Sequence, residues 1–116
     1  MEIGTASRGL AALGHETRLA IFRLLVQAGP EGLNAGAICE KVGIPSATLS
    51  FHLAHLTRVG LISRRQEGRF IYYAADYTAM NELLGYLTEN CCQGKQCLPA
   101  AACRSGTKRR SNASSR

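Results

Sequence analysis

The chain has 116 residues, 46% of them hydrophobic, and its 14 lysines and arginines against eight acidic residues give a formal charge of +6. This length favours one domain with one modest core, and no apolar run reaches the roughly 20 residues that a membrane span requires. The segment from Met1 lacks the basic start and apolar run of a signal peptide, so we expect a cytoplasmic protein with no membrane partner.

The basic charge is unevenly distributed. Five of the basic residues lie in 104–116, which holds no acid, and this leaves +1 for residues 1–103. Within those residues, Arg58, Arg64, Arg65 and Arg69 are opposed only by Glu67. Such local charge suits a DNA phosphate backbone, although a solvated basic face is the alternative. The tail 104–116 is expected to be disordered, either as a plain solvated end or as a source of nonspecific DNA affinity.

Three helices are predicted in the first part of the chain. Helical spacing of apolar residues indicates helices over about 6–13 and 16–28, and the sequence from Gly29 to Gly32 ends the second. Asn34 is a suitable N-cap for a third helix over 35–42. The sequence Gly43-Ile44-Pro45 then forms a tight break.

A fourth helix is predicted from Ser46 to Arg58, with Leu49, Leu53 and Leu56 forming a buried stripe. Residues 61–74 follow as a β-hairpin with a turn at Glu67-Gly68. Asp76 can cap a fifth helix over 77–89, whose apolar stripe is Met80, Leu83, Leu84 and Leu87.

This order of elements predicts a mainly α fold with a small β-hairpin wing, which is a winged helix-turn-helix. The winged helix-turn-helix domain is expected to cover residues 1–90. A cysteine-rich segment for inducer binding follows over 91–103, and the basic tail covers 104–116.

The fourth helix is predicted to read DNA. With its leucine stripe buried, the opposite face carries small residues, hydroxyls, an aromatic ring and an imidazole, which can approach and contact base edges in a major groove. A generic amphipathic helix is the alternative, but the arginines of the following hairpin favour a wing on phosphates. His52 lies beside the stripe and is expected to be packed or capping. The predicted DNA-binding residues are Ser46, Ala47, Thr48, Ser50, Phe51, His55, Arg58, Arg64, Arg65 and Arg69.

The cysteines form a second candidate site. Adjacent Cα atoms are about 3.8 Å apart, which is below the usual disulfide range, so Cys91 and Cys92 are not expected to pair with each other. In a reducing cytoplasm, thiols of this kind bind metals or act in redox chemistry. Cys91 and Cys92 with a thiolate from the following segment would chelate a soft ion. Three thiolates suit trivalent arsenic or antimony, whereas four suit zinc. Incidental thiols and a redox switch stay open as alternatives.

Three stretches resemble the ArsR/SmtB family of metal- and metalloid-responsive repressors. Ala12–Ile21 is similar to the second-helix signature of the family. Ala47–Leu53 with Val59–Ile62 is similar to its recognition helix and strand entry, and Glu67–Tyr73 is similar to its wing. The resemblance covers about Ala6 to Cys97. It implies a homodimer, formed mainly by the first and fifth helices, that binds an inverted repeat in double-stranded operator DNA and leaves it when an inducer binds.

The resemblance also favours one inducer. Some arsenic-responsive members carry a Cys-Cys pair at this helix end and a third cysteine soon after, which implies Cys91, Cys92 and Cys97 as ligands, with Cys103 as a substitute for Cys97. The inducer would be arsenic(III), or antimony(III). The third helix has only Cys39, expected to be a buried small residue, and the fifth helix has no histidine, so the zinc site of other members cannot form.

Two alternatives belong to other functional classes. The same fold could sense zinc, cadmium or an oxidant, or the chain could be a thiol-based metal-binding protein with a vestigial DNA-binding fold. An enzyme is not expected, because the three histidines, His15, His52 and His55, make no evident grouping with an acid, base or nucleophile.

Overall fold

A computed structural model describes residues 1–94, which fall into a first unit, Met1–Tyr86, and the start of a second unit at Leu87. The expected fold class, a mainly α winged helix-turn-helix with a β-hairpin, is confirmed. No helix among the described residues is long and apolar enough to cross a bilayer. The elements are α1 Ile3–Leu13, α2 Glu16–Ala28, β1 Leu33–Asn34, α3 Ala35–Val42, α4 Ser46–Arg58, β2 Ile62–Glu67, β3 Phe70–Ala75 and α5 Tyr77–Leu87, followed in the second unit by a short 3-10 turn, Cys91–Gly94.

The core lies between α2, α3 and α4. Each of these helices turns an apolar face inward, and full burial of one aliphatic side chain is worth about 1.5–3 kcal/mol. The bounds predicted for these three helices are confirmed. The largest fully buried side chains are Ile21 and Leu25 of α2, Ile38 of α3, and Leu49, Leu53 and Leu56 of α4.

Side chains cap several helices as the sequence predicts. Asn34 Oδ1 accepts a hydrogen bond from the Ala37 amide at 2.8 Å, and Asp76 Oδ1 accepts one from the Ala79 amide at 3.0 Å. The start of α1 is different: it begins at Ile3, three residues before the predicted start, and Glu2 at its N-cap makes no side-chain capping bond. No capping signal therefore marks this end in the sequence. The fifth helix stops at Leu87, two residues before the predicted end.

The sheet has three antiparallel strands in the order β1-β3-β2. Because Glu67 pairs with Phe70, the hairpin turn consists of Gly68 and Arg69, and the predicted turn at Glu67-Gly68 was wrong by one residue. Strand β1 was not predicted, since two residues carry no alternating pattern. It joins the sheet by pairing Leu33 with Tyr73.

Gly32 sits where β1 approaches β3. Its φ of +75° favours glycine, and a Cβ atom there would overlap the backbone carbonyl of Tyr73. Gly43, which ends α3, has a similar φ of +78°, but no atom lies within 4 Å of the place that a Cβ atom would occupy. The two glycines therefore share a backbone conformation and differ in the space around them.

This difference gives a stability prediction. Gly43→Ala should lower the free energy of unfolding by about 1–2 kcal/mol, the cost of a left-handed residue with a Cβ. Gly32→Ala should cost clearly more, because the added methyl also pushes β1 away from β3. Urea denaturation followed by circular dichroism measures both. Equal losses in the two variants would show that the approach of β1 to β3 does not require glycine.

Candidate nucleic-acid interface

Helix α4 turns a polar and small-residue face outward. Burial of its leucines leaves Phe51 65% exposed and His55 half-buried on the opposite side. No acidic residue occurs in α4, so nothing on this face repels a phosphate backbone. The exposed residues of the helix are Ser46, Ala47, Thr48, Ser50, Phe51, Ala54 and Arg58, and they include most of the residues that the helical wheel predicts for DNA contact.

The break between α3 and α4 gives the pair its helix-turn-helix form. Gly43 ends α3 in the left-handed conformation, and its amide bonds to the Cys39 carbonyl at 2.8 Å. The Cys39 thiol donates to the Ile44 carbonyl at 2.9 Å. Cys39 was expected to be a buried small residue, but it is only half-buried, packed against the core, and its thiol helps to hold the turn.

Arg65 stabilises the wing, which is the hairpin Ile62–Ala75, through contacts with three other residues. The Arg65 Nε donates to Glu67 Oε2 at 2.8 Å, and its Nη2 donates to the Glu31 carbonyl at 3.2 Å. Its guanidinium also stands 5.0 Å from the centre of the Tyr72 ring, within cation–π range. Much of the hydrogen-bonding capacity of Arg65 is thus used inside the protein, a role that the sequence alone did not indicate.

Arg64 and Arg69 differ from Arg65 in this respect. Both are exposed, and within residues 1–94 the one ion pair found joins Arg65 to Glu67. Arg69 lies in the turn itself, next to Phe70, whose side chain is 56% exposed. Arg64 and Arg69 are therefore the cations of the wing best placed to meet a phosphate. Phe70 adds an exposed aromatic ring that sequence reasoning overlooked.

Two histidines of α4 lie in different environments. His52 is 6% exposed, as its place beside the leucine stripe predicts. Its pKa is lowered, chiefly by burial and then by His15, Arg18 and His55. The pKa of His55 is also lowered, by burial and by Arg18 and Arg58. His55 is consequently neutral at pH 7, and a neutral imidazole can both donate and accept a hydrogen bond at a base edge.

The candidate cysteine site lies only partly in the described residues. The Sγ atoms of Cys91 and Cys92 are 3.7 Å apart. Cys91 carries a free thiol, so it does not pair with Cys92. Cys97 and Cys103 lie outside the described residues. Within residues 1–94 no group of three or more His, Cys, Asp or Glu side chains is arranged to hold a metal ion.

Comparison with known proteins places the fold in a family. A family model described as a helix-turn-helix domain matches residues 13–65. The transcriptional activator HlyU of Vibrio cholerae is 30% identical over 87 residues, which cover 75% of this chain and 78% of HlyU. The chain belongs to the ArsR-type family of winged helix-turn-helix transcriptional regulators. The nodulation protein NolR of Rhizobium meliloti is 35% identical over 80 residues, 69% of this chain, although the match spans only 63% of NolR.

Solved structures of this family show the same architecture. NolR from Sinorhizobium fredii superposes with a TM-score of 0.60 at 33% identity, covering 76% of this chain and 85% of NolR. Reduced HlyU from Vibrio cholerae gives 0.58 at 32% identity, covering 78% and 92%. A homodimeric domain from Mycobacterium bovis, described as a possible ArsR-family regulator, gives 0.60 at 26% identity, covering 81% and 87%. Of these relatives, HlyU is described as a transcriptional activator and the Mycobacterium bovis protein as a possible transcriptional regulator, and neither description names an enzyme.

The different environments of the wing arginines predict different effects on DNA binding. Arg64→Ala and Arg69→Ala should each lower the slope of log affinity against log salt by about one, the value for one phosphate contact. Arg65→Ala should change the slope less and lower thermal stability more, because it removes the brace to Glu31 and Tyr72. Fluorescence anisotropy titrations at salt concentrations from about 50 to about 200 mM measure the slopes, because phosphate contacts change the affinity strongly over this range. A larger slope change for Arg65→Ala would contradict this assignment.

Proposed function

We propose that the chain is a transcriptional repressor that binds an inverted-repeat operator as a homodimer and leaves it when an inducer reaches the cysteines after α5. The observation that carries the DNA-binding part is the exposed face of α4, which has no acidic residue. The wing lies beside it, and its Arg64 and Arg69 form no ion pair within residues 1–94. In this arrangement α4 is the recognition helix in the major groove, and the wing holds phosphates.

A second copy of the chain is the partner proposed for α1. Ile3 and Leu10 lie seven residues apart on this helix, and their side chains are 75% and 43% exposed. An apolar groove of about 400 Å³ also opens between α2 and α5, lined in part by Leu19, Phe22 and Met80. Exposed apolar surface of this kind marks interaction sites. The homodimeric relative from Mycobacterium bovis supports self-association, and a twofold dimer matches an inverted repeat.

Dimerisation predicts the effect of a charge on α1. Leu10→Glu should shift the protein toward monomer and weaken binding to a two-half-site duplex at least about tenfold, since burying an unpaired carboxylate costs more than 1.4 kcal/mol. Leu10→Met, which keeps an apolar side chain, is the matched control. Sedimentation velocity gives the oligomeric state. A Leu10→Glu protein that stays dimeric would move the interface away from this face.

The inducer proposed is trivalent arsenic, with antimony as its close analogue. Two sulfurs bound to one tetrahedral zinc ion, each about 2.3 Å from it, would be about 3.8 Å apart. The Cys91 and Cys92 sulfurs are 3.7 Å apart, a spacing that suits thiophilic ions in general, and the choice of arsenic among them follows from the family resemblance. The pair therefore fits two ligand positions on one soft ion. Both cysteines would bind as thiolates, the form of cysteine that ligates metals. The third ligand proposed is Cys97, with Cys103 as its substitute.

Arsenite titration tests this proposal. A duplex is first selected from a random-sequence pool by the wild-type protein, and its release is then followed by anisotropy in a phosphine reductant, which keeps thiols reduced without adding a competing dithiol. Arsenite should release the wild-type protein and the Cys39→Ser control. It should not release the Cys91→Ser/Cys92→Ser double variant, which should still bind the duplex. Unchanged release in the double variant would place the inducer site elsewhere.

A redox sensor is the second candidate, and the observation that favours it is the short distance of 3.7 Å between the Cys91 and Cys92 sulfurs, which suits thiol oxidation chemistry. One close relative, HlyU, has a structure in a form called reduced. Peroxide without arsenite should then release the wild-type protein, and reductant should restore binding. If instead no duplex is enriched from the pool, the alternative of a thiol-based metal-binding protein with a vestigial DNA-binding fold is favoured.

A further inference from the structure

Three parts of the fold meet at the side chain of Arg18. Its Nε donates to the carbonyl of Ala12, in the last turn of α1, at 2.8 Å, and its Nη1 lies 3.4 Å from Nδ1 of His52 on α4. Ala12 is fully buried and His52 nearly so. One guanidinium at the start of α2 thus connects the end of α1 to the inner side of α4.

The hydrogen-bonding chemistry fixes the protonation state of His52. A guanidinium has donors and no acceptor and keeps its charge in proteins. Nδ1 of His52 must therefore be the acceptor, and the proton of its ring lies on Nε2. A doubly protonated ring would offer an N–H to another N–H and place a second positive charge beside Arg18. Within residues 1–94 no salt bridge to Arg18 is found that could offset that charge.

We propose that half-buried Arg18 and buried His52 form a positioning pair that holds α4 in its DNA-reading position only while His52 is neutral. The inference rests on the proposed role of α4 as recognition helix. Neither residue needs to touch DNA, since His52 lies on the buried side of the helix. The pair acts by fixing how the exposed face, with Thr48 and Phe51, is presented to the groove.

The groups that face His52 all oppose its protonation. The ring of His15, from the corner between α1 and α2, is centred 4.9 Å from the His52 ring, and Arg18 approaches from α2. His55, three residues further along α4, also disfavours a positive charge on His52. His15 uses its own Nδ1 to accept a hydrogen bond from the Thr17 amide at 3.2 Å.

The sign of the pH effect follows from these contacts. While Arg18 contacts His52, the pKa of His52 lies below its ordinary value of 6.5. A form of the protein in which this contact is broken, or the unfolded chain, therefore takes up a proton at a higher pH. The stabilisation from a neutral His52 is complete above pH 6.5 and is lost as the pH falls through the lowered pKa. Between pH 7.5 and 5.5 the DNA affinity can fall by about tenfold, the factor expected for one group whose pKa is about 6.5 once its contact is broken.

The test measures the affinity of full-length protein for the selected duplex between pH 7.5 and 5.5. Wild-type affinity should fall with acid. His52→Asn places an amide oxygen near the position of Nδ1 and cannot be protonated, so its affinity should stay near the wild-type value at pH 7.5 and should not fall. His52→Leu keeps an apolar side chain but removes the acceptor, and it should bind weakly at every pH.

Two further measurements separate this pair from other effects. His55→Asn is the matched control, since His55 lies on the proposed DNA face, and it should keep the acid-dependent loss. Nitrogen-15 spectra of the histidine rings without DNA should show His52 with its proton on Nε2 at pH 7.5. A His52→Asn profile that follows the wild type, or a His52 ring with its proton on Nδ1, would overturn the proposal. Failure to select any duplex would instead count against the repressor, while the ring spectra would still test the pair.

Discussion

The burial of one face of α4 is the interaction on which the rest of the fold depends. Leu49, Leu53 and Leu56 fill the space between α2 and α3 and are almost completely removed from solvent. A helix of 13 residues with that face inward has its opposite face fixed toward solvent. The same packing therefore supplies core stability and determines which side chains a DNA groove could meet. A core substitution that rotated α4 would change both together.

Patterns that repeat along one helix made much of this fold predictable. The bounds of α2, α3 and α4 follow from apolar spacing, from Asn34 as a cap and from the glycines and prolines between the helices. The parts that were not predicted depend on contacts between distant segments. Strand β1 exists because Gly32 lets the chain approach Tyr73, and the hairpin turn is set by the register of β2 with β3. Neither contact leaves a periodic signal in the sequence.

The candidate site shows the same division. Exposure of Thr48 and Phe51 could be predicted, because it follows from the helical wheel once the leucine face is buried. The bracing of Arg65 could not, since its partners Glu31 and Tyr72 come from other elements. The contact between Arg18 and His52 joins residues 34 positions apart. The sequence pattern could indicate that His52 was packed, but it could not identify the group against which it packs.

In the proposed complex with DNA, affinity and sequence choice fall on different elements of this molecule. The exposed face of α4 is mostly small and uncharged, and few of its side chains can bond a base edge strongly. The arginines lie instead at its end and in the wing, where phosphate contacts add affinity that is similar on any sequence. In the proposed dimer, one operator is read by two α4 helices that each distinguish base sequences weakly. Selectivity for the operator therefore depends on holding both helices at the spacing of its two half-sites. A small change in how either helix is held then costs more binding than the loss of one contact. In the proposed complex, the groups on the buried side of α4 that hold the helix in place would therefore matter as much to DNA reading as the residues on its exposed face.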